Sequence, residues 1–194
     1  MKTEYRLAEI LKTMMSEVPL DSISVTTLTK RCHVNRQTFY YHFHDIYDLL
    51  TLVFLNEQIP SLKETNNIKE LVKNVYSYYV DNRGFVDAAI NSAGKELFQE
   101  FIYNACYQTI LRFVNNTIDA KKLHINDRKA ITRFYALAYA NSIVYYLSTY
   151  KNKTVDGLLN CFAFESENSL NQAVERLLIL RGFKDAWFWL SNKN

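Results

Sequence analysis

The sequence predicts an all-α fold in which an N-terminal unit of three short helices and a connecting fourth precedes a larger helical unit. The chain of 194 residues has only four glycines and two prolines, whereas sheets with tight hairpins usually need more. Apolar residues recur at helical spacing, and capping side chains precede several of these segments. With 48% hydrophobic and 22% charged residues, the composition is typical of a soluble globular protein with an ordinary core.

The cysteines, the N-terminus and the longest uncharged stretch exclude several classes of protein. Cys32, Cys106 and Cys161 are odd in number and far apart, which argues against a disulfide framework and favours a reducing compartment. The N-terminus lacks the apolar run of a signal peptide, so a cytoplasmic location is expected. Residues 134–150 carry no charge but include polar Asn141, which favours a buried helix over a membrane span.

The first helix is predicted from a single apolar face. Its inward residues fall at positions i, i+3, i+4 and i+7, and Pro19 closes the segment. The helix should therefore span about 4–17, with Leu7, Ile10, Leu11 and Met14 inside.

Two short helices joined by a tight turn are expected at 24–43. Ser24 is a suitable N-cap for the first, whose inner face carries Leu28 and Cys32. Asn35 follows closely and caps the second, whose inner face carries Phe39 and Phe43. This arrangement is a helix-turn-helix.

The remaining elements follow from caps and breaks. Asp45 caps a fourth helix, and Pro60 with the polar run to Asn67 ends it, which places a hinge at 58–66 and predicts domains 1–58 and 59–194. Asn67 and Glu70 resemble a capping box for a helix to about 82. A short helix between Gly84 and Gly94, helices at about 95–118, 127–151, 155–164 and 167–180, a stop at Gly182 and a tail with Trp187 and Trp189 complete the prediction.

The third helix has two chemically different faces. Phe39 and Phe43 share one side, and the other carries Arg36, Gln37, Tyr40, Tyr41 and His44. No acidic residue occurs from Ser24 to His44, and Arg and Gln suit bidentate reading of base edges in the major groove. From the pattern alone a DNA recognition helix and a plain surface helix remain equally open.

The segment 24–50, S-V-T-T-L-T-K-R-C-H-V-N-R-Q-T-F-Y-Y-H-F-H-D-I-Y-D-L-L, resembles the signature of the TetR/AcrR family of transcription regulators. The form R-Q-T-F-Y, the Gly94 segment and R-F-Y-A-L-A at 133–138 are most similar to the branch with dihydroxyacetone-operon activators. The resemblance implies a homodimeric repressor or activator that binds a palindromic operator in double-stranded DNA. It also implies a C-terminal domain that dimerises, through about 155–180 with help from 127–151, and binds an unknown small-molecule effector.

The resemblance also assigns roles to residues. Side chains that approach bases or neighbouring phosphates would be Thr26, Arg36, Gln37 and Tyr41, and Thr38, Tyr40 and His42 would position the duplex through its backbone. Lys30 and Arg31 would add charge to this patch.

Two departures from the family weaken the DNA-binding interpretation. The turn has His33 where the family often has Gly, and the fourth helix begins with Ile46 where the family usually has a phosphate-binding Lys. The first 50 residues also carry six basic and six acidic groups and are neutral overall. A partner-binding coregulator of the same fold that has lost DNA binding is therefore the alternative.

The effector-binding residues are predicted from the aromatic content, 14 Tyr and 12 Phe. The same side chains are equally consistent with ordinary core packing, and a small-molecule-binding protein without a transcription role is a third possibility. The candidates are Tyr76, Tyr79, Tyr103, Tyr107, Tyr139 and Asn141.

No enzyme, cofactor or metal site is predicted. The chain lacks a GxSxG motif, a P-loop, a GxGxxG motif and a carboxylate pair in an apolar setting. Its four histidines do not combine with cysteines at zinc spacings.

Overall fold

A computed structural model describes residues 2–117, 119–165 and 168–191, with Ala120 and 183–191 described by their backbone alone, and these residues form ten α-helices and no strand. The predicted all-α fold is confirmed. Short 3-10 turns occupy Leu20–Ser22, Pro60–Lys63 and Ala120–Lys122. The helices are α1 (Thr3–Glu17), α2 (Val25–Arg31), α3 (Arg36–His42), α4 (Ile46–Asn56), α5 (Ile68–Asp81), α6 (Arg83–Ile90), α7 (Lys95–Asn116), α8 (Ile125–Thr149), α9 (Val155–Asn160) and α10 (Ser169–Ser191).

Four helices begin at the caps that the sequence predicts. In each case a side-chain oxygen accepts a hydrogen bond from the backbone N–H three residues later, which satisfies one of the unpaired donors of the first turn. The bond lengths are 3.1 Å at Ser24, 2.7 Å at Asn35, 2.8 Å at Asp45 and 2.8 Å at Asn67. The starts of α2, α3, α4 and α5 are thus fixed by local chemistry.

The turn between α2 and α3 keeps a left-handed residue without glycine. His33 has φ 54°, and its N–H donates to the Lys30 carbonyl at 3.1 Å. The next N–H, that of Val34, donates to the Thr29 carbonyl at 3.0 Å. These two bonds form a Schellman motif, which ends α2 and starts the chain toward α3.

The N-terminal helices share one core with the rest of the chain. Phe54, near the end of α4, lies 5.3 Å from Phe85 and 5.7 Å from Phe101 between ring centroids. On the other side, α1 and α6 meet backbone to backbone, because a Cβ on Gly84 would lie only 2.7 Å from the Ser16 carbonyl oxygen. The N-terminal helices α1 to α4, here called the head, therefore pack closely against α6 and α7.

Residues 57–67, here called the connector, link α4 to α5 and are anchored to the rest of the protein. Ile59 and Leu62 are both 7% exposed. Arg112 of α7 donates hydrogen bonds to the carbonyl oxygens of Leu62 and Thr65, both at 2.7 Å, and to that of Lys63. The division into domains 1–58 and 59–194 stays a prediction, but the segment expected as a hinge is tied to α7.

The predicted helix stop at Gly182 is wrong. α10 continues through this residue to Ser191, because a single glycine costs a helix only about 1 kcal/mol and no proline follows to end it. α9 ends earlier than expected, at Asn160. The side chains of Trp187 and Trp189 lie outside the described part of the chain. Among the described residues, no helix is long and apolar enough to cross a membrane.

Candidate nucleic-acid interface

Two buried phenylalanines set the orientation of α3. Phe39 is fully buried and Phe43 is 7% exposed, with their ring centroids 5.7 Å apart. Because these rings point into the core, the opposite face of this two-turn helix is turned to solvent. Tyr41, on that face, is 84% exposed.

The predicted DNA-contacting residues differ in how accessible they are. Thr26 and Thr38 are half-buried, and the other six are exposed: Lys30, Arg36, Gln37, Tyr40, Tyr41 and His42. Arg36 and Tyr40 contact each other, with the guanidinium Nη2 3.4 Å from the hydroxyl oxygen and the guanidinium carbon 5.8 Å from the ring centroid. The outward face of α3 thus presents an arginine supported by an aromatic ring, together with Gln37 and Tyr41.

Two residues expected to hold the DNA backbone also have partners within the protein. The Thr38 hydroxyl donates to the Asn35 side-chain oxygen at 2.9 Å, so this hydroxyl must turn away before it can donate to a phosphate. His42 lies toward α1, with Nδ1 3.8 Å from a carboxylate oxygen of Glu4. These two positions are less available than Gln37 and Tyr41.

The basic patch is smaller than the sequence indicates. Arg31 contacts both carboxylate oxygens of Glu17, at 2.5 and 2.6 Å, and its hydrogen bond holds the pKa of Glu17 below its usual value. Arg6 donates to the Cys32 carbonyl at 2.9 Å. Lys30 and Arg36 are the cations of α2 and α3 without an ion pair in the described part of the chain.

Ile46 is part of the core. It is 8% exposed at the start of α4, where the family resemblance implies a phosphate-binding lysine. The following Tyr47 donates its hydroxyl to a carboxylate oxygen of Asp21 at 3.1 Å. Partial burial and then the Asp21 carboxylate raise the pKa of Tyr47. The start of α4 therefore has no cation to bind a phosphate, and the hydroxyl of Tyr47 is already hydrogen-bonded to Asp21.

Comparisons with known proteins identify the family. Residues 66–160 match the TetR family model described as "Transcriptional regulator C-terminal region". The all-helical chain also matches a solved structure, that of the dihydroxyacetone kinase operon activator DhaS, with a TM-score of 0.52. Residues 66–160 thus belong to the TetR family of transcription regulators. The resemblance seen in the helix-turn-helix segment is thereby confirmed by a region that does not overlap it.

The likeness to DhaS extends over most of the chain. The match to DhaS covers 92% of this chain and 95% of that one at 20% identity, which shows a shared fold. A search of curated proteins finds no significant sequence match.

The predicted effector residues fall into separate places in the TetR fold. Tyr76 and Tyr79 lie 6.0 Å apart on α5, where their hydroxyls bind the Lys153 carbonyl at 2.9 Å and the Asp87 carboxylate at 3.3 Å. On α7, Tyr103 and Tyr107 form a half-buried pair with ring centroids 5.9 Å apart. The α5 pair thus fastens neighbouring segments.

Tyr139 and Asn141 differ sharply although they are two residues apart. Tyr139 lies along a cavity of about 750 Å³ between α5, α8 and α9, and its buried hydroxyl has no hydrogen-bond partner. Asn141 is exposed and accepts a hydrogen bond from Gln99 at 2.5 Å. The six predicted residues are therefore not gathered around one cavity.

A groove that sequence reasoning missed lies closer to the head. It has a volume of about 490 Å³ and runs between α7 and the segment from the end of α4 through the connector. Glu57, on its rim, binds Lys12 of α1 with both carboxylate oxygens at 2.8 Å. The buried hydroxyl of Tyr78 has its pKa raised by burial and then by this same carboxylate. Because these residues are distant in sequence, no local pattern could reveal the groove.

The described residues contain no group of histidine, cysteine or acidic side chains that could hold a metal ion.

Proposed function

We propose that this TetR-family protein is a homodimer that binds a palindromic operator through α3, as a repressor or activator, and changes its DNA affinity when a small molecule binds. The observation that carries the proposal is the outward face of α3. Arg36, Gln37 and Tyr41 are all exposed there, and no acidic residue occurs from Ser24 to His44. Residues 1–58 would hold the DNA and 59–194 would dimerise and bind the effector, in the cytoplasm.

An uncovered apolar stripe supports the dimer. Phe134, Leu137 and Tyr145 follow one another along α8 at helical spacing and are 68%, 45% and 63% exposed. On α10, Ile179 and Leu180 are 58% and 59% exposed. A second copy is the natural cover for these helices, because a two-fold dimer brings the same apolar patch of each subunit together. Such a dimer would read two half-sites about one DNA turn apart.

Selection of bound sequences from random double-stranded DNA tests this function. We expect enrichment of one palindrome, bound in a salt-dependent manner. Arg36→Ala and Tyr41→Ala should each weaken binding to the selected sequence by about 1–3 kcal/mol, since each removes a side chain placed to meet the duplex. Arg83→Ala, which removes an exposed arginine of α6, is the matched control and should leave binding unchanged. Absence of any preferred sequence would contradict the proposal.

Ile46 favours a second candidate, a partner-binding coregulator that keeps the TetR fold without holding DNA. A buried isoleucine takes the place of the expected lysine, and Glu17 engages Arg31 in a region whose first 50 residues are neutral overall. This candidate predicts a protein partner in a pull-down and no preferred DNA sequence. Tight, specific and salt-dependent DNA binding together with no captured partner would remove it.

A further inference from the structure

The groove beside α7 is elongated, and its lining is mostly apolar, with polar Asn104, Gln108 and Thr109 among the α7 residues. Phe101, Ala105 and Arg112 line it from one face of α7, and at 1.5 Å per residue the span from Phe101 to Arg112 is about 16 Å. The facing wall comes from α4 and the connector and includes Phe54, Ile59 and Leu62. The shape and lining suit an extended molecule with an apolar body.

One end of the groove is positively charged. Its charged lining residues are Glu57, Lys63 and Arg112. The charge of Glu57 is balanced by Lys12, whose Nζ lies 2.8 Å from both carboxylate oxygens. Lys63 is exposed and, like Arg112, has no carboxylate partner among the described residues. The groove therefore carries two uncompensated cations.

Arg112 is held in place while two of its hydrogen-bond donors remain available. A guanidinium has five N–H donors. Three of them bind the carbonyl oxygens of Leu62, Lys63 and Thr65. Carbonyl partners fix the orientation of the side chain but do not neutralise its charge. A fixed guanidinium with spare donors is well suited to a carboxylate.

We propose that this groove is the effector site and that its ligand is a small amphipathic monocarboxylate. The carboxylate pairs with Arg112 and Lys63, and the apolar chain lies over Phe54, Leu62 and Phe101. This inference rests on the proposed function, because an effector is a ligand that changes operator binding. The larger cavity beside Tyr139 is a weaker candidate, because its lining mixes Lys69 and Lys73 with Asp156 and Glu165 and so favours no ligand charge.

The groove is placed so that its occupant can affect the DNA-binding head. One wall is α7, and the other begins at Phe54 of α4 and continues through Glu57, which binds α1 through Lys12. A ligand between these walls has a different affinity for each separation of α4 from α7. It therefore favours one position of the head over another.

Octanoate and its uncharged analogue octanamide, titrated into the full-length protein by calorimetry, test the ligand class. We expect octanoate to bind one molecule per chain at least ten times more tightly than octanamide. Arg112→Gln should lower this preference at least threefold, because it removes one of the two cations that pair with the carboxylate. Lys129→Gln, which removes an exposed lysine of α8 outside the groove, is the control and should keep the preference.

A second variant guards against a folding defect in Arg112→Gln. Gln108 is exposed and lines the groove, so Gln108→Trp should fill it and block both probes while the helical circular dichroism signal is unchanged. Equal affinity for octanoate and octanamide, or octanoate binding that survives Gln108→Trp, would overturn the ligand assignment.

The DNA measurement separates this inference from the proposed function. Saturating octanoate should change the affinity for the selected operator at least fivefold in the wild type and not in Gln108→Trp, in which the groove is filled. Octanoate binding without a change in operator affinity overturns the effector role but leaves operator binding intact. Octanoate binding by a protein that selects no DNA sequence overturns the proposed function and, with it, the effector role, while the carboxylate site stands.

Discussion

Helices α3 and α8 both expose aromatic residues, but they expose different chemistry. On α3, Tyr40 and Tyr41 stand beside Arg36 and Gln37, so the rings are surrounded by hydrogen-bond donors. On α8, the exposed stripe of Phe134, Leu137 and Tyr145 is interrupted only by Asn141, whose side-chain groups bind Gln99 and the Leu137 carbonyl.

The difference indicates which kind of partner each surface can bind. An apolar stripe with its polar group already satisfied gains free energy when water is excluded, as in a subunit interface. A surface of spare donors without acids instead suits phosphates and base edges. Exposed aromatic residues alone would not have distinguished the two helices.

The largest expected effect is on α8. Leu137→Glu should weaken the proposed dimer more than about 100-fold, because two-fold symmetry buries two unpaired charges in the same interface. Analytical ultracentrifugation would measure this effect, and operator affinity should fall with it since one head binds without its neighbour. Val80→Glu, at an exposed residue of α5, is the control. An unchanged dimer would show that α8 is not in the interface.

The next effects are on α3 and on Lys30 of α2. Gln37→Ala should cost about 1–3 kcal/mol of operator affinity and relax the preference at one base pair of each half-site. Lys30→Ala should instead weaken binding evenly across sequences and lower the slope of log affinity against log salt by about 1. Fluorescence anisotropy with operator variants separates the two outcomes. A uniform loss for Gln37→Ala would place Gln37 on the DNA backbone.

A smaller effect, on the salt dependence of DNA binding, is expected from Glu17→Gln, which frees Arg31 from its ion pair. If Arg31 then contacts a phosphate, the salt dependence of DNA binding should steepen by about 0.9 in slope. Arg31→Gln is the matched control and should not steepen it. An identical slope in Glu17→Gln and the wild type would show that Arg31 does not reach the DNA.

The same variant has a predicted pH signature. Because Arg31 lowers the pKa of Glu17 in the folded protein, this pair stabilises the fold above the unfolded pKa of about 4.3 and loses that contribution as pH falls through the lowered value. Glu17→Gln should therefore flatten the dependence of the melting temperature on pH below about 4. Near neutral pH its effect on stability should be small, since the pair is exposed.

The smallest effect concerns the turn. His33→Gly should raise the free energy of unfolding by up to about 1 kcal/mol, because glycine adopts φ 54° without steric cost. Urea denaturation would measure the gain, and operator affinity should not change, since His33 is not on the outward face of α3. A loss of stability would mean that the flexibility of glycine in the unfolded chain outweighs the relief.

The parts of the fold that the sequence predicted are those coded by neighbouring residues. Ser24, Asn35, Asp45 and Asn67 cap helices through bonds to residues three positions away, so a short window contains the whole signal. The two faces of α3 follow equally from the positions of Phe39 and its neighbours along one helix.

The missed features depend on residues far apart. Arg112 and the Lys63 carbonyl meet across 49 positions, and Glu57 and Lys12 across 45. Arg31 looked like part of a basic patch because its partner Glu17 comes from the preceding helix. At Ile46 the departure from the family was visible in the sequence, but its burial became visible only in the packed structure.

The close approach at Gly84 has a mechanical consequence. At Gly84 the backbone of α6 lies against the Ser16 carbonyl of α1 with no side chain between them, which leaves little room for one helix to slide over the other at this point. We therefore expect α1 and α6 to move together as one rigid unit. In the proposed dimer, a movement that changes the spacing of the two heads should therefore occur where side chains and not backbones are in contact, as between Phe54 of α4 and Phe101 of α7.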